Sequence, residues 1–148
     1  MSEYADSGCL VSLYVRDALA PEVVPLLAGN AGLALLPLHR SEFANALALR
    51  LFRREMTPAE VAAAARLFRE HQARGVYRQL AWPAEAWELS EQLSARFVAR
   101  LGVRTLDVLH VAAALTLEAA AFYSFDTRQR ALARAAGLRL RPGGLRRG

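Results

Sequence analysis

The chain has 148 residues, 54% of them hydrophobic and 22% charged, with a formal net charge of +5 and a single cysteine. That length and apolar content suit one core-bearing domain and exclude a disordered chain. No apolar run reaches the roughly 18 residues a bilayer span needs. The opening MSEYADSG lacks the basic head and apolar stretch of a secretory signal, and a lone cysteine makes no internal disulfide, so a cytoplasmic protein with no membrane attachment is expected.

In chain order, a short first strand is expected to end at Asp6, followed by helices over Cys9–Val15 and Pro21–Ala28. Leu33–Leu36 reads as a buried strand, and a third helix runs from about Ser41 to Arg53. The fourth helix is opened by Thr57-Pro58-Ala59-Glu60, a capping box with proline at the first helical position, and closed at Gly75. Tyr77–Ala81 suits a third strand. Leu89, Leu93, Phe97 and Leu101 form an i, i+4 stripe on a fifth helix, with Glu85, Glu88, Glu91, Arg96 and Arg100 on its other faces and Gly102 as its stop. A sixth, almost wholly apolar helix over Thr105–Ala119 is expected to be central. Ala121–Phe125 is a fourth strand, Thr127–Ala136 a last helix capped by Gly137, and Leu138–Leu140 an edge strand. This alternation predicts an α/β fold with a mostly parallel sheet of four to five strands, spanning 1–141, before a basic, flexible tail over 142–148.

Four acids stand at special places in that layout. Asp6 and Asp126 follow strands, at the edge where open α/β sheets bind ligands. Glu42 and Asp107 fall in the first turns of expected helices, after a strand and a glycine-containing turn respectively. Any one of them could simply serve a helix N-terminus. Together they could converge on one sheet edge, where several carboxylates either hold protons or bind a cation. Oxygen donors without cysteine suit magnesium or manganese.

The residues around these acids resemble the motifs of PIN-domain toxins of the VapC type. Tyr4-Ala5-Asp6-Ser7 with Leu10-Val11-Ser12-Leu13-Tyr14 is similar to the family's opening, and Ser41-Glu42-Phe43-Ala44-Asn45-Ala46-Leu47 to its second acidic motif. Arg104-Thr105-Leu106-Asp107-Val108-Leu109-His110-Val111-Ala112 resembles the third, and Ser124-Phe125-Asp126-Thr127-Arg128-Gln129-Arg130-Ala131-Leu132 the fourth. Order and approximate spacing agree over nearly the whole chain. Gly8 departs from the pattern, standing where a second small hydroxyl residue is frequent.

The resemblance implies a PIN-like three-layer α/β/α sandwich and a metal-dependent ribonuclease that hydrolyses RNA phosphodiesters with Mg2+, or Mn2+, as cofactor. It implies Asp6 and Asp107 as direct ligands, Asp126 as a ligand or water-mediated partner, and Glu42 as a second-metal ligand or a group positioning the attacking water. Ser7, Ser124 and Thr127 are candidates to orient a carboxylate or water, Thr127 equally a helix N-cap, and Arg104 and Arg128 candidates to contact phosphate. The implied partners are an RNA substrate, a small antitoxin and a second copy of the chain in a homodimer. All 19 basic residues are arginine. A GC-rich coding sequence accounts for the missing lysine, yet with the four acids neutralised by metal, 19 positive charges face 10 negative ones, a balance of +9 that favours a polyanion.

His110, three residues after Asp107, reads as a packed, hydrogen-bonded side chain, His39 as solvated, and His71 as carrying no signal. Cys9 reads as a buried helix residue, and Trp82 and Trp87 as anchors of the fifth helix. A PIN nuclease of RNA processing and an inactive PIN scaffold binding RNA or protein are the alternatives. A phosphoacceptor receiver needs a late lysine that this chain lacks, and a haloacid-dehalogenase-like phosphatase needs a second aspartate at position 8.

Overall fold

A computed structural model describes residues 2–145. Among the described residues five short strands all pair in parallel, in two ladders of order β1-β4-β5 and β2-β3. The chain divides into two compact units, one of Met1–Asp6 with Trp82–Gly148 and the other of Ser7–Ala81. The expected α/β class with parallel strands is the one observed. Among the described residues no helix is long and apolar enough to cross a membrane. Of the expected tail, residues 146–148 lie outside the described residues.

In the first unit β1 (Tyr4–Ala5) and β5 (Leu140–Arg141) flank β4 (Phe122–Tyr123). Tyr4 pairs with Phe122 and Ala5 with Tyr123, while Phe122 also pairs with Leu140. Tyr4 and Phe122 are fully buried and stack with ring centroids 5.7 Å apart. The polar start of the strand is accommodated: Ser2 is buried, and Tyr123 Oη donates to Glu3 at 2.7 Å. Helix α7 (Thr105–Thr116) buries every residue from Val108 to Ala114, as its all-round apolar sequence demands. Each of its larger apolar side chains contributes about 1.5–3 kcal/mol by leaving water. Against it packs α5 (Glu85–Leu93), whose chain continues through the wider turn Ser94–Val98 into α6 (Ala99–Leu101). Leu93 and Phe97 of the apolar stripe are buried, and Gly102 ends the run with φ +67°, a left-handed conformation that costs a glycine little. Helix α8 (Thr127–Ala135) follows β4 and ends at Gly137, φ +91°.

The second unit holds α1 (Ser7–Ser12), α2 (Ala20–Leu27), β2 (Leu33–Leu35), α3 (Pro37–Phe52), α4 (Pro58–Ala73) and β3 (Tyr77–Gln79). The expected capping box is formed: Glu60 N–H donates to Thr57 Oγ1 at 3.2 Å and Thr57 N–H to Glu60 Oε1 at 3.4 Å.

Helix α3 starts at Pro37, four residues before the expected Ser41. Pro37 sits at the first helical position, and His39 Nδ1 accepts the Leu36 N–H at 3.0 Å, a donor the helix itself leaves unpaired. His39 is therefore 1% exposed and structural, not solvated. His71, a position without a sequence signal, belongs to a part-buried network. Tyr14 Oη lies 2.7 Å from His71 Nδ1 and also bonds Tyr77 Oη, and Phe43 and Phe68 pack with ring centroids 4.1 Å apart beside Tyr14. Burial raises the pKa of both tyrosines above the usual 10. Cys9 is buried, as expected.

Candidate active site

Each acid of the first unit is placed by a local feature of the chain. Asp6 follows β1, and its N–H donates to Tyr123 O at 2.9 Å, so the β1–β4 pairing fixes its backbone and its side chain is buried. Asp107 is the third residue of α7, with its side chain 25% exposed and Arg104 Nε 3.8 Å from Oδ2. Asp126 follows β4 as the N-cap of α8, and its Oδ1 accepts the Gln129 N–H at 2.7 Å. Asp126 thus does serve a helix N-terminus. A carboxylate has lone pairs beyond the one used there, so the cap is compatible with holding a cation.

Electrostatics ties the three acids together. Burial raises the Asp107 pKa above the ordinary carboxylate value, and the Asp126 charge raises it further. Arg104 and His110 oppose this, and Asp6 adds a smaller push in the same direction as Asp126. Carboxylates this close make the fully ionised site costly until a cation offsets the charge. Asp107 and Asp126 line one cavity of about 330 Å³ with Gly102, Arg104, Thr127 and Arg128. Asp6 is not among its lining residues and acts on Asp107 through charge.

Among the described residues no group of three His, Cys, Asp or Glu side chains is arranged to hold an ion alone. Magnesium does not require one: it keeps several waters and binds through one or two carboxylates. The Asp107–Asp126 pair offers those hard oxygen donors, whereas structural zinc needs a closed set of four ligands. The residues therefore fit Mg2+ or Mn2+.

Glu42 stands in the second unit. Because α3 starts early, it is the sixth residue of that helix and lies beyond the first turn, so an N-terminal capping role does not explain it. Ser7 Oγ donates to its Oε1 at 2.8 Å.

Ser124, fully buried, donates to Gln129 Oε1 at 2.8 Å and accepts the Asp126 N–H at 3.1 Å. Thr127 is exposed at the first turn of α8, and the N-cap role considered for it belongs to Asp126. Arg104 and Arg128 are exposed at the cavity; Arg128 Nη1 reaches Gly102 O at 3.4 Å. His110 is buried, with Nδ1 2.8 Å from Tyr4 Oη, the packed role expected of it. Trp82 and Trp87 lie with ring centroids 5.4 Å apart; Trp82 is half-buried, and Trp87 remains 56% exposed, against the anchoring role expected of it.

Two residues of the fourth motif escaped notice. Gln129 is 1% exposed and spans Asp107, Ser124 and Asp126. Arg130 is buried and donates to Ser124 O and Pro142 O, both at 2.8 Å, pinning the strand end beside the site. Their polarity three and four residues after Asp126, on the side of α8 that also buries Leu132 and Ala133, was the available signal.

A second cavity, about 640 Å³, lies within the Ser7–Ala81 unit against Tyr14, Asp17, Arg50 and Glu60. It is larger, but two of its three acids are committed: Asp17 pairs with Arg50 at 3.4 Å and Glu60 caps with Thr57. Volume does not mark the chemistry here.

Parallel strands that end in carboxylates beside a cavity define an α/β protein with an acidic, cation-compatible site. The PIN domain model matches residues 4–135, and the chain belongs to that family of nucleases. No curated protein matches the sequence. Among solved structures, Mycobacterium tuberculosis VapC20, a sarcin–ricin loop cleaving toxin, is similar over 93% of this chain and 96% of its own, with TM-score 0.68 and 19% identity. Rickettsia felis VapBC2 bound to a DNA fragment from its promoter is similar over 95% and 97%, with TM-score 0.65 and 13% identity. At those identities the likeness is one of fold.

Proposed function

We propose that this chain is a Mg2+- or Mn2+-dependent endoribonuclease that hydrolyses RNA phosphodiesters, acting as the toxin of a VapBC-type toxin–antitoxin pair. The observation that carries the reading is the cavity that Asp107 and Asp126 line together beside Arg104 and Arg128, with the charge of Asp126 opposing ionisation of Asp107. A fold-stabilising surface has no use for such repulsion, whereas a cation site does.

Asp107 and Asp126 would hold the cation, with Asp6 adding negative charge. The family motif adds Glu42 as the fourth acid. A bound cation would supply an activated water and offset charge on the phosphorus oxygens. Arg104 and Arg128 stand where the guanidinium fork can grip phosphate oxygens of the RNA, and exposure leaves both side chains able to reorient. In the hydrolysis the water oxygen bonds to phosphorus as the bond to the leaving ribose oxygen breaks, and a proton goes to that oxygen. The toxin assignment rests on the VapC and VapBC likenesses in fold, and with it come a small antitoxin and a homodimer as partners.

The test is incubation of purified protein with labelled total RNA and a sarcin–ricin loop hairpin, in Mg2+, Mn2+ or EDTA, beside an Asp6→Asn, Asp107→Asn double variant. Discrete cleavage that needs metal and vanishes in the variant is expected. Intact RNA in every condition, with protein free of antitoxin, would refute the activity.

A further inference from the structure

Gln129 is 1% exposed, and the carboxamide of such a residue must place two donors and an acceptor without water. Its surroundings decide which end points where. Nε2 lies 3.4 Å from Asp107 O and 3.5 Å from Asp107 Oδ1, both of which only accept. Turning the amide over would aim its oxygen at those two oxygens. On the other side Ser124 Oγ accepts the Asp126 N–H at 3.1 Å and gives its one proton to Gln129 Oε1 at 2.8 Å. The backbone of the same residue donates to Asp126 Oδ1 at 2.7 Å. One residue therefore holds one acid through its main chain and the other through its side chain, and Ser124 fixes the orientation.

We infer that Gln129 is a positioning residue that sets the spacing of Asp107 and Asp126 by tying the Asp107 carboxylate to the N-cap of α8. The inference rests on the proposed reading only for its use, since the contacts involve this chain's own groups alone. A donor aimed at a ligand carboxylate also restricts its rotation, and loss of such outer partners typically lowers metal affinity or activity 10–100-fold.

Two measurements on the full chain test this. In metal-free, 15N-labelled protein, the Gln129 side-chain amide protons should exchange slowly with solvent, and faster in Asp107→Ala and Ser124→Ala. Rates unchanged in Asp107→Ala overturn the inference. Mn2+ titration by calorimetry should show affinity about 10–100-fold weaker in Gln129→Met than in wild type, with the unfolding transition retained. Equal affinity overturns it as well. If Gln129→Met does not fold, Ser124→Ala carries the same titration with the same expected direction. Should wild type bind no Mn2+ while the amide still responds to Asp107→Ala, the metal reading falls and the positioning role stands.

Discussion

Replacing Asp107 by asparagine should separate stability from function. Ionising Asp107 carries a penalty from burial first, then from Asp126 and more weakly Asp6, with Arg104 and His110 compensating in part. Its folded pKa lies above the unfolded value of about 3.9. The sign follows: the folded state holds the proton more tightly, so the contribution of Asp107 is fully present below the unfolded pKa and is lost as pH rises through the folded one. Asp107→Asn escapes that loss, keeps a carbonyl oxygen for Gln129, and should melt higher than wild type at pH 7 without metal. Adding Mg2+ reverses the order. A ligand at 100 times its Kd stabilises by about 2.7 kcal/mol, and at this chain length about 2–4 °C accompanies each kcal/mol. Wild type should therefore gain roughly 5–11 °C, and Asp107→Asn little. Calorimetric scans at pH 4, 5, 6 and 7, with Mg2+ and with EDTA, measure both. A variant that melts lower than wild type in EDTA at pH 7, or that keeps the full Mg2+ gain, would refute the reasoning.

Arg104→Ala and Arg128→Ala should each weaken binding of single-stranded RNA in EDTA and reduce the dependence of log K on log salt by about 0.7 per arginine, read by anisotropy across a salt series; an unchanged slope would remove that residue from the phosphate contacts. Thr57→Ala deletes a formed N-cap and should cost about 1 kcal/mol, or about 3 °C, with RNA cleavage unaffected; a change in cleavage would contradict the separation of that cap from the acids. The raised tyrosine pKa values predict a steep alkaline loss. Tyr14 and Tyr77 stay protonated in the fold while the unfolded chain ionises above pH about 10, so stability falls as pH rises past that point, and Tyr14→Phe should flatten the fall in pH-dependent denaturant midpoints.

The motifs that were readable are those written by near neighbours in the chain. Thr57 and Glu60 cap α4 across three residues, Gly102 stops a helix by its own backbone freedom, and Leu93 and Phe97 show their common face by spacing alone. The positions of Asp6 and Asp126 after strands were legible for the same reason. The start of α3 was not, because a histidine at the third helical position supplies the acceptor for the N-cap N–H that glutamate or glutamine usually gives, and the N-cap itself is Leu36.

Tertiary structure decided which acids influence one another and what holds them. Asp107 is raised by Asp126 and Asp6, which are 19 and 101 positions away in sequence. Gln129 reaches back 22 residues to Asp107, His71 meets Tyr14 across 57, and His110 meets Tyr4 across 106. Sequence by itself determined the alternation of strands and helices, the capping box of α4 and the supply of carboxylates, since those depend on contacts within about four residues. Only the tertiary structure chose the partners of the buried polar groups, because a hydrogen bond or a carboxylate repulsion depends on distances of a few ångströms that chain separation does not encode.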